Sequence, residues 1–282
     1  MNILTFDIEE WFHILDNQTT KTETNWGQFE VRIHKNTDRI LGFLANYNLS
    51  ATFFVVGWIA DNYPEVVKKI DKLGFEIGSH SYMHQLMYEQ TYCQVQEDLK
   101  RSISVLENLT GKKVRSFRAP GFSITEKNKW AFEVLANQGI THDSSVFPAR
   151  RAHGGFPNFK EATPTRLFCD GIELKEFPIN SSRIFGNTWI FSGGGYFRLT
   201  PYNLIKKLSN KSNYIMTYFH PRDFDPGQPI INDLSLLRKF KSYYGLKNAM
   251  SKLEKWVNHH DFIDMKKASE SILWEKAPVI KI

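Results

Sequence analysis

A chain of 282 residues is long enough for one large α/β domain or two small ones. With 41% hydrophobic and 14% aromatic residues it has ample material for a core, which excludes intrinsic disorder. The net charge of +6 is spread as pairs such as Lys112-Lys113, Lys206-Lys207 and Lys266-Lys267, not as the basic stripe a nucleic-acid binder needs, so no nucleic-acid partner is expected. Two cysteines, Cys93 and Cys169, are too few for a zinc cage or a disulfide framework and are read as reduced. No basic segment followed by an apolar one opens the chain, and no run of 18 apolar residues occurs, so no secretory signal and no membrane span are expected. The chain is read as cytoplasmic, and its five glycosylation sequons, at Asn17, Asn48, Asn108, Asn180 and Asn210, as chance.

In chain order, the apolar run Asn2–Phe6 reads as a buried strand that stops at acids. Thr37–Tyr47 has helical spacing, and Ala51–Val56 is a second buried strand ended by Gly57. Pro64–Leu73 reads as a helix, with Pro64 at a first-turn position where its missing N–H costs nothing and Gly74 closing it. Phe75–Ile77 is a third strand, Tyr92–Leu109 a long amphipathic helix, and Val114–Phe117 a fourth strand. A helix over Lys127–Gln138 and a strand over Gly139–Asp143 follow. This alternation predicts parallel strands with crossover helices, an α/β barrel-like fold. Beyond Arg150 come possible antiparallel strands at Arg166–Phe168 and Glu173–Leu174, a glycine-rich break at Ser192–Gly195, a helix after Pro201 and a last strand over Tyr214–Phe219. Helical patterns cover Ile231–Tyr244 and Leu246–His259, so residues 1–230 are read as the main domain and 231–282 as a helical C-terminal extension packed on it.

Acid, base and metal-ligating residues recur where these strands end: Asp7, Glu9 and Glu10, then His80 and His84, Arg118, Asp143 and His220. In barrel-like α/β folds strand C-termini converge on one rim, so residues scattered over the sequence can share one pocket. His80 and His84 are spaced to lie about 6 Å apart on one side of a helical turn, which suits a divalent metal. A third ligand from the acidic cluster would leave positions open for water, the pattern of a catalytic site. Three acids between Phe6 and Trp11-Phe12 are costly to bury unpaired, and Arg118 is the obvious partner for one of them. The aromatic set includes Trp11, Phe122, Trp189 and Tyr196, from which a sugar-stacking platform could be drawn.

Five ordered motifs resemble those of the polysaccharide deacetylases, the NodB-homology carbohydrate esterases: Thr5-Phe6-Asp7-Ile8-Glu9-Glu10, His80-Ser81-Tyr82-Met83-His84, Arg118-Ala119-Pro120-Gly121-Phe122, Asp143-Ser144-Ser145 and Tyr218-Phe219-His220. Ala51–Val55, Ser192–Arg198 and His220–Pro226 further resemble a subgroup from exopolysaccharide loci with a DUF3473-type C-terminal region. The resemblance implies a distorted (β/α) barrel of about seven strands. It also implies N-deacetylation of an N-acetylated sugar or polysaccharide with one divalent metal, zinc ahead of cobalt, nickel or iron. Two departures stand out: Ile8 replaces a second Asp of the first motif, and the usual Trp of the fourth is missing.

The resemblance assigns Glu9, His80 and His84 to the metal and Asp7 to the base, with Arg118 holding Asp7 ionised. His220 becomes the acid and Asp143 its orienter. The backbone N–H of Phe122 is assigned to the oxyanion, and Pro120, Trp189 and Tyr196 to substrate binding. Strand alternation favours Glu9 over Glu10, because Asp7 and Glu9 share a face while Ile8 and Glu10 point away. Alternatives are hydrolysis of a non-sugar amide or cyclic imide on the same fold, a non-catalytic carbohydrate-binding relative, and a structural partner of an export complex.

Overall fold

The computed structural model describes residues 1–282 apart from positions 16, 18, 152, 160, 161, 170, 185 and 186. In chain order its strands and helices are β1 (Asn2–Ile3), β2 (Thr5–Ile8), α1 (Ile33–Asn46), β3 (Thr52–Val55), α2 (Gly57–Asn62), α3 (Pro64–Lys72), β4 (Glu76–Ser79), α4 (Tyr92–Thr110), β5 (Ser116–Phe117), α5 (Trp130–Asn137) and β6 (His142–Asp143). There follow β7 (Thr165–Cys169), β8 (Ile172–Glu176), β9 (Ser182–Ile184), β10 (Asn187–Trp189), α6 (Gly194–Leu199), α7 (Tyr202–Ser209), β11 (Ile215–Met216), α8 (Leu236–Tyr243), α9 (Leu246–Val257), α10 (Met265–Ser271) and β12 (Val279–Lys281).

The central sheet has eight strands in the order β12-β7-β8-β6-β5-β4-β3-β2. Every neighbouring pair is parallel except β7 and β8, which form an antiparallel hairpin. Beyond β2, a parallel bridge joins Phe6 to Phe219 and another joins Gly193 to Tyr218, while β1 pairs with β11. Among the described residues no ladder closes these strands into a ring. The fold is therefore an α/β structure on a mostly parallel eight-stranded sheet, where the sequence predicted a barrel of about seven strands. The C-terminal segment also carries a strand: β12 pairs in parallel with β7 at the sheet edge, beyond the expected helices.

Pleating sorts side chains to two faces. Phe6 and Ile8 of β2 and Phe53 and Val55 of β3 pack in the larger apolar cluster with the helices. Phe54 points the other way, into a second cluster with Phe122, Phe147, Phe177 and Tyr218. All four of the β2 and β3 side chains in the larger cluster are fully buried, and burial of a Phe contributes roughly 2–3 kcal/mol. Thr5 and Asp7 face the inner side with Phe54, which is how a strand this hydrophobic delivers a carboxylate to the interior.

Local signals set the helix ends. Pro64 begins α3, and the left-handed Gly74 follows it. A Thr91–Gln94 capping box starts α4, and the left-handed Gly111 ends it. The C-terminal helices are tied down by Lys252, whose Nζ donates to the carbonyls of Phe197, Arg198 and Thr200 at the end of α6 (3.1, 2.9 and 2.9 Å).

Candidate metal centre and proton-transfer site

A cavity of about 310 Å³ opens where β2, β4 and the 218–220 segment end, and Asp7, Glu9, His80, His84 and His220 all line it. Arg118 lies directly beneath. Its fully buried guanidinium pairs with Asp7 Oδ1 at 2.7 Å and also donates to the Thr5 and Ser144 hydroxyls (2.7 and 3.0 Å). It rests 4.3 Å over the Phe54 ring. Four anchors fix it, so Asp7 has one orientation.

Glu9 Oε2 lies 2.6 Å from His84 Nε2. Glu9, His80 and His84 each present a ligand atom within 4.8 Å of the others. Burial alone would raise the Glu9 carboxyl, but His84 and His220 beside it hold it far below the usual range. Burial lowers His80 to about 4, so its ring is neutral at pH 7. Its Nδ1 bonds the Arg118 carbonyl at 2.7 Å, which puts the proton there and leaves the lone pair on Nε2. Two imidazoles and a carboxylate, one imidazole with its tautomer fixed, form a donor set that fits a divalent metal with positions to spare.

The His80–His84 segment is a loop, not the predicted helical turn. Ser81 and His84 both have left-handed backbones, with φ of 62° and 52°. The Asp98 carboxylate holds the loop by accepting the N–H groups of Tyr82 and Met83 (2.6 and 2.9 Å). The rings meet, with centroids 5.1 Å apart, because of this clamp.

Glu10 points away from the cavity. Its Oε1 accepts the N–H groups of Arg32 and Ile33 (2.7 and 2.8 Å), satisfying free donors at the start of α1. Ile8 is fully buried in the core on the opposite side from Asp7.

His220 sits with Nε2 3.8 Å from Asp7 and 3.9 Å from Glu9. Its partner is not the predicted Asp143. Asp223 Oδ2 holds His220 Nδ1 at 2.9 Å and also accepts the His220 backbone N–H at 3.0 Å. Arg198 in turn holds Asp223 at 3.0 Å. Burial would lower the His220 ring, but Glu9, Asp223 and Asp7 outweigh it and raise it to about 9. Burial would likewise raise Asp223, yet His220 and Arg198 hold it at about 2.

Asp143 is engaged elsewhere. It accepts the Ser145 hydroxyl at 2.6 Å and the Ser145 N–H at 3.2 Å, beside Glu176. Burial raises Glu176 well above the carboxylate range, with Asp143 adding to the effect, so Glu176 is the protonated member of the pair. Ser145 passes this acid pair on to the Ala119 N–H at 2.8 Å, so Asp143 braces the loop after β5.

Three substrate-side expectations also change. The Phe122 N–H donates to the Ala119 carbonyl at 3.0 Å, because Gly121 and Phe122 both adopt positive φ (61° and 54°) and close a tight turn. That N–H is therefore already engaged. Phe122 and Tyr196 do line the cavity, whereas Pro120 is buried behind its wall and Trp189 stands on the β9–β10 hairpin outside it.

The sequence reading passed over His13. Its ring packs 4.3 Å from Trp26 and stacks 5.6 Å from His84. Burial keeps it neutral, and its Nε2 has no hydrogen-bond partner among the described residues. Nothing in its spacing set it apart. For Asp223 the signal was present: an acid three residues after His220, with Pro221 between, is a tight capping turn.

A family model described as polysaccharide deacetylase matches residues 16–141, and one described as a domain of unknown function, DUF3473, matches residues 144–270. Over 161 residues the chain is 27% identical to a bifunctional xylanase/deacetylase of Pseudobutyrivibrio xylanivorans, covering 56% of this chain and 26% of that protein. Over 108 residues it is 30% identical to a peptidoglycan deacetylase of Helicobacter pylori, covering 38% and 36%. The chain thus spans about a quarter to a third of these curated relatives. A solved structure from Mycobacterium smegmatis superposes with a TM-score of 0.69 at 20% identity, covering 99% of this chain and 92% of that one. That likeness is one of fold. No helix among the described residues is long and apolar enough to cross a membrane.

Proposed function

Since the chain carries a polysaccharide deacetylase domain of the NodB type continued by a DUF3473 region, we propose that it is a metal-dependent hydrolase that removes N-acetyl groups from an N-acetylated glycan. The observation that carries this reading is one cavity in which Glu9, His80 and His84 offer three ligand atoms within 4.8 Å while Asp7 and His220 flank them. A divalent metal held by those three residues would polarise the acetamide carbonyl and make water a better nucleophile. Asp7 takes the proton of the attacking water, and Arg118, paired with it at 2.7 Å, keeps it aimed. His220, charged at neutral pH, gives a proton from Nε2 to the departing amine, and Asp223, bound at Nδ1, fixes the ring orientation that presents Nε2. The products are acetate and a free amino sugar. Residues 1–230 carry these catalytic and ligand side chains, and residues 231–282 serve as an extension that braces α6 and adds Arg238 and Lys241 to the cavity wall.

The test is His220→Ala. It should keep its metal and lose about 10²–10⁴-fold in kcat on an unactivated acetamide. A variant with near wild-type turnover removes His220 from the mechanism.

A further inference from the structure

Among its described lining residues, the cavity holds more guanidinium and ammonium groups than carboxylates. Arg151, Arg198, Arg222, Arg238 and Lys241 line it against Asp7, Glu9 and Asp223. Each carboxylate is already committed: Asp7 to Arg118, Glu9 to His84, and Asp223 to both His220 and Arg198. Among the described residues, the Arg151 and Arg222 guanidiniums are joined to none of these carboxylates by a direct hydrogen bond. Arg222, two residues after His220, faces the cavity within the field of Glu9 and Asp223, but its guanidinium makes no direct hydrogen bond to a described side chain. Arg151 lies 4.4 Å over the Phe147 ring, 4.9 Å from the Phe122 ring and 6.0 Å from the Tyr218 ring. Its Nη1 is buried without a hydrogen-bond partner among the described residues, and so is the Tyr218 hydroxyl in the same aromatic group.

A half-buried guanidinium with unfilled hydrogen bonds is costly, and a fold that keeps two at one cavity has a use for them. The aromatic rings fix the plane of the Arg151 guanidinium and leave its N–H groups for a ligand. We propose that Arg151 and Arg222 form a subsite for an anionic substituent, a carboxylate or a phosphate ester, on or next to the N-acetylated sugar. This deepens the deacetylase reading and rests on it. Guanidinium N–H groups pair with the two oxygens of either group, while neutral sugar hydroxyls bring no negative charge to either cation.

The test measures binding by titration calorimetry, and acetate release separately, with three probes. These are a neutral N-acetylglucosamine tetrasaccharide, a matching one that contains N-acetylmuramic acid, and one that carries a 6-phosphate. The wild-type protein should bind at least one charged probe at least ten-fold more tightly than the neutral one, with the preference shrinking as salt rises. Whichever charged probe binds more tightly identifies the substituent. Arg151→Gln and Arg222→Gln should each weaken the preferred charged probe by at least ten-fold more than they weaken the neutral one. Equal wild-type binding of all three probes overturns the subsite, whether or not the variants fold. So does an equal loss on all probes in correctly folded variants. Preferential binding of a charged probe with no acetate released from any probe overturns the deacetylase reading and leaves the subsite standing.

Discussion

Asp223 Oδ2 lies 2.9 Å from His220 Nδ1, and Asp143 serves a different loop. The pairing makes His220 and Asp223 the ends of a unit four residues long, closed on itself through the His220 backbone N–H. Arg198 ties that unit to α6. The two aspartates should therefore separate in kinetics. Asp223→Asn should reduce kcat by about 10²-fold or more with metal affinity retained, because the amide no longer favours the charged imidazole or holds its orientation. Asp143→Asn should act through stability, since its partners are Ser145 and Glu176. Steady-state kinetics and denaturant unfolding of both variants distinguish the two roles, and a larger kcat loss in Asp143→Asn than in Asp223→Asn would reverse them.

The two glutamates after Asp7 should divide in the same manner. Glu9→Gln should weaken metal binding strongly, because it removes one of three ligand groups within 4.8 Å. Glu10→Gln should leave metal affinity in place and cost about 1–2 kcal/mol of stability, because the amide is a poorer acceptor for the two N–H groups that open α1. Metal titration with parallel unfolding checks both, and loss of metal in Glu10→Gln with retention in Glu9→Gln would shift the register by one residue.

Much of this was legible in the sequence. The apolar runs over Asn2–Phe6 and Ala51–Val56 read as buried strands, where the structure has β1 (Asn2–Ile3), β2 (Thr5–Ile8) and β3 (Thr52–Val55), and Pro64 and Gly74 marked helix ends. The period of two along β2 placed Asp7 and Glu9 on one side and Ile8 on the other. What stayed hidden depends on partners distant in sequence. The left-handed Ser81 and His84 have no local signature, and the clamp that holds their loop is Asp98 on α4. The Phe122 N–H was assigned to substrate because a sequence does not show that Gly121 and Phe122 close a turn onto Ala119. Strand β12 is three residues long and half exposed, so it carries no apolar run.

Acid should destabilise the fold partly through His142, remote from the metal ligands. Burial, with Lys175 adding to it, lowers this ring to about 4, and its two nitrogens bond the Thr141 and Ser269 hydroxyls (both 2.8 Å). The unfolded imidazole titrates near 6.5. Between those values the unfolded chain binds the extra proton, so stability falls as pH drops from about 6.5 to about 4 and changes little through this group outside that window. The contribution is on the order of 2–3 kcal/mol once partial exposure is discounted. Denaturant unfolding at pH 7 and pH 4.5 should show a smaller loss in His142→Gln than in the wild type, and equal losses would remove His142 as a source.

Gly193→Ala should damage both fold and site. An added Cβ would stand 2.1 Å from the Tyr218 carbonyl oxygen, at the bridge that carries Tyr218 two residues ahead of His220. The backbone must part there, at a cost of roughly 1–3 kcal/mol. Thermal unfolding should fall and kcat with it, while Gly42→Ala, where nothing lies within 4 Å of the added carbon, should do neither.

The most direct measurement of the central claim is acetate release from N-acetylated oligosaccharides, counted against new free amine, before and after chelation and again after zinc is restored. The account predicts one amine per acetate, loss of both on chelation, recovery with metal, and no recovery in Asp7→Asn at equal metal content. Hydrolysis that persists with no metal left by elemental analysis, or that survives in Asp7→Asn, would contradict it.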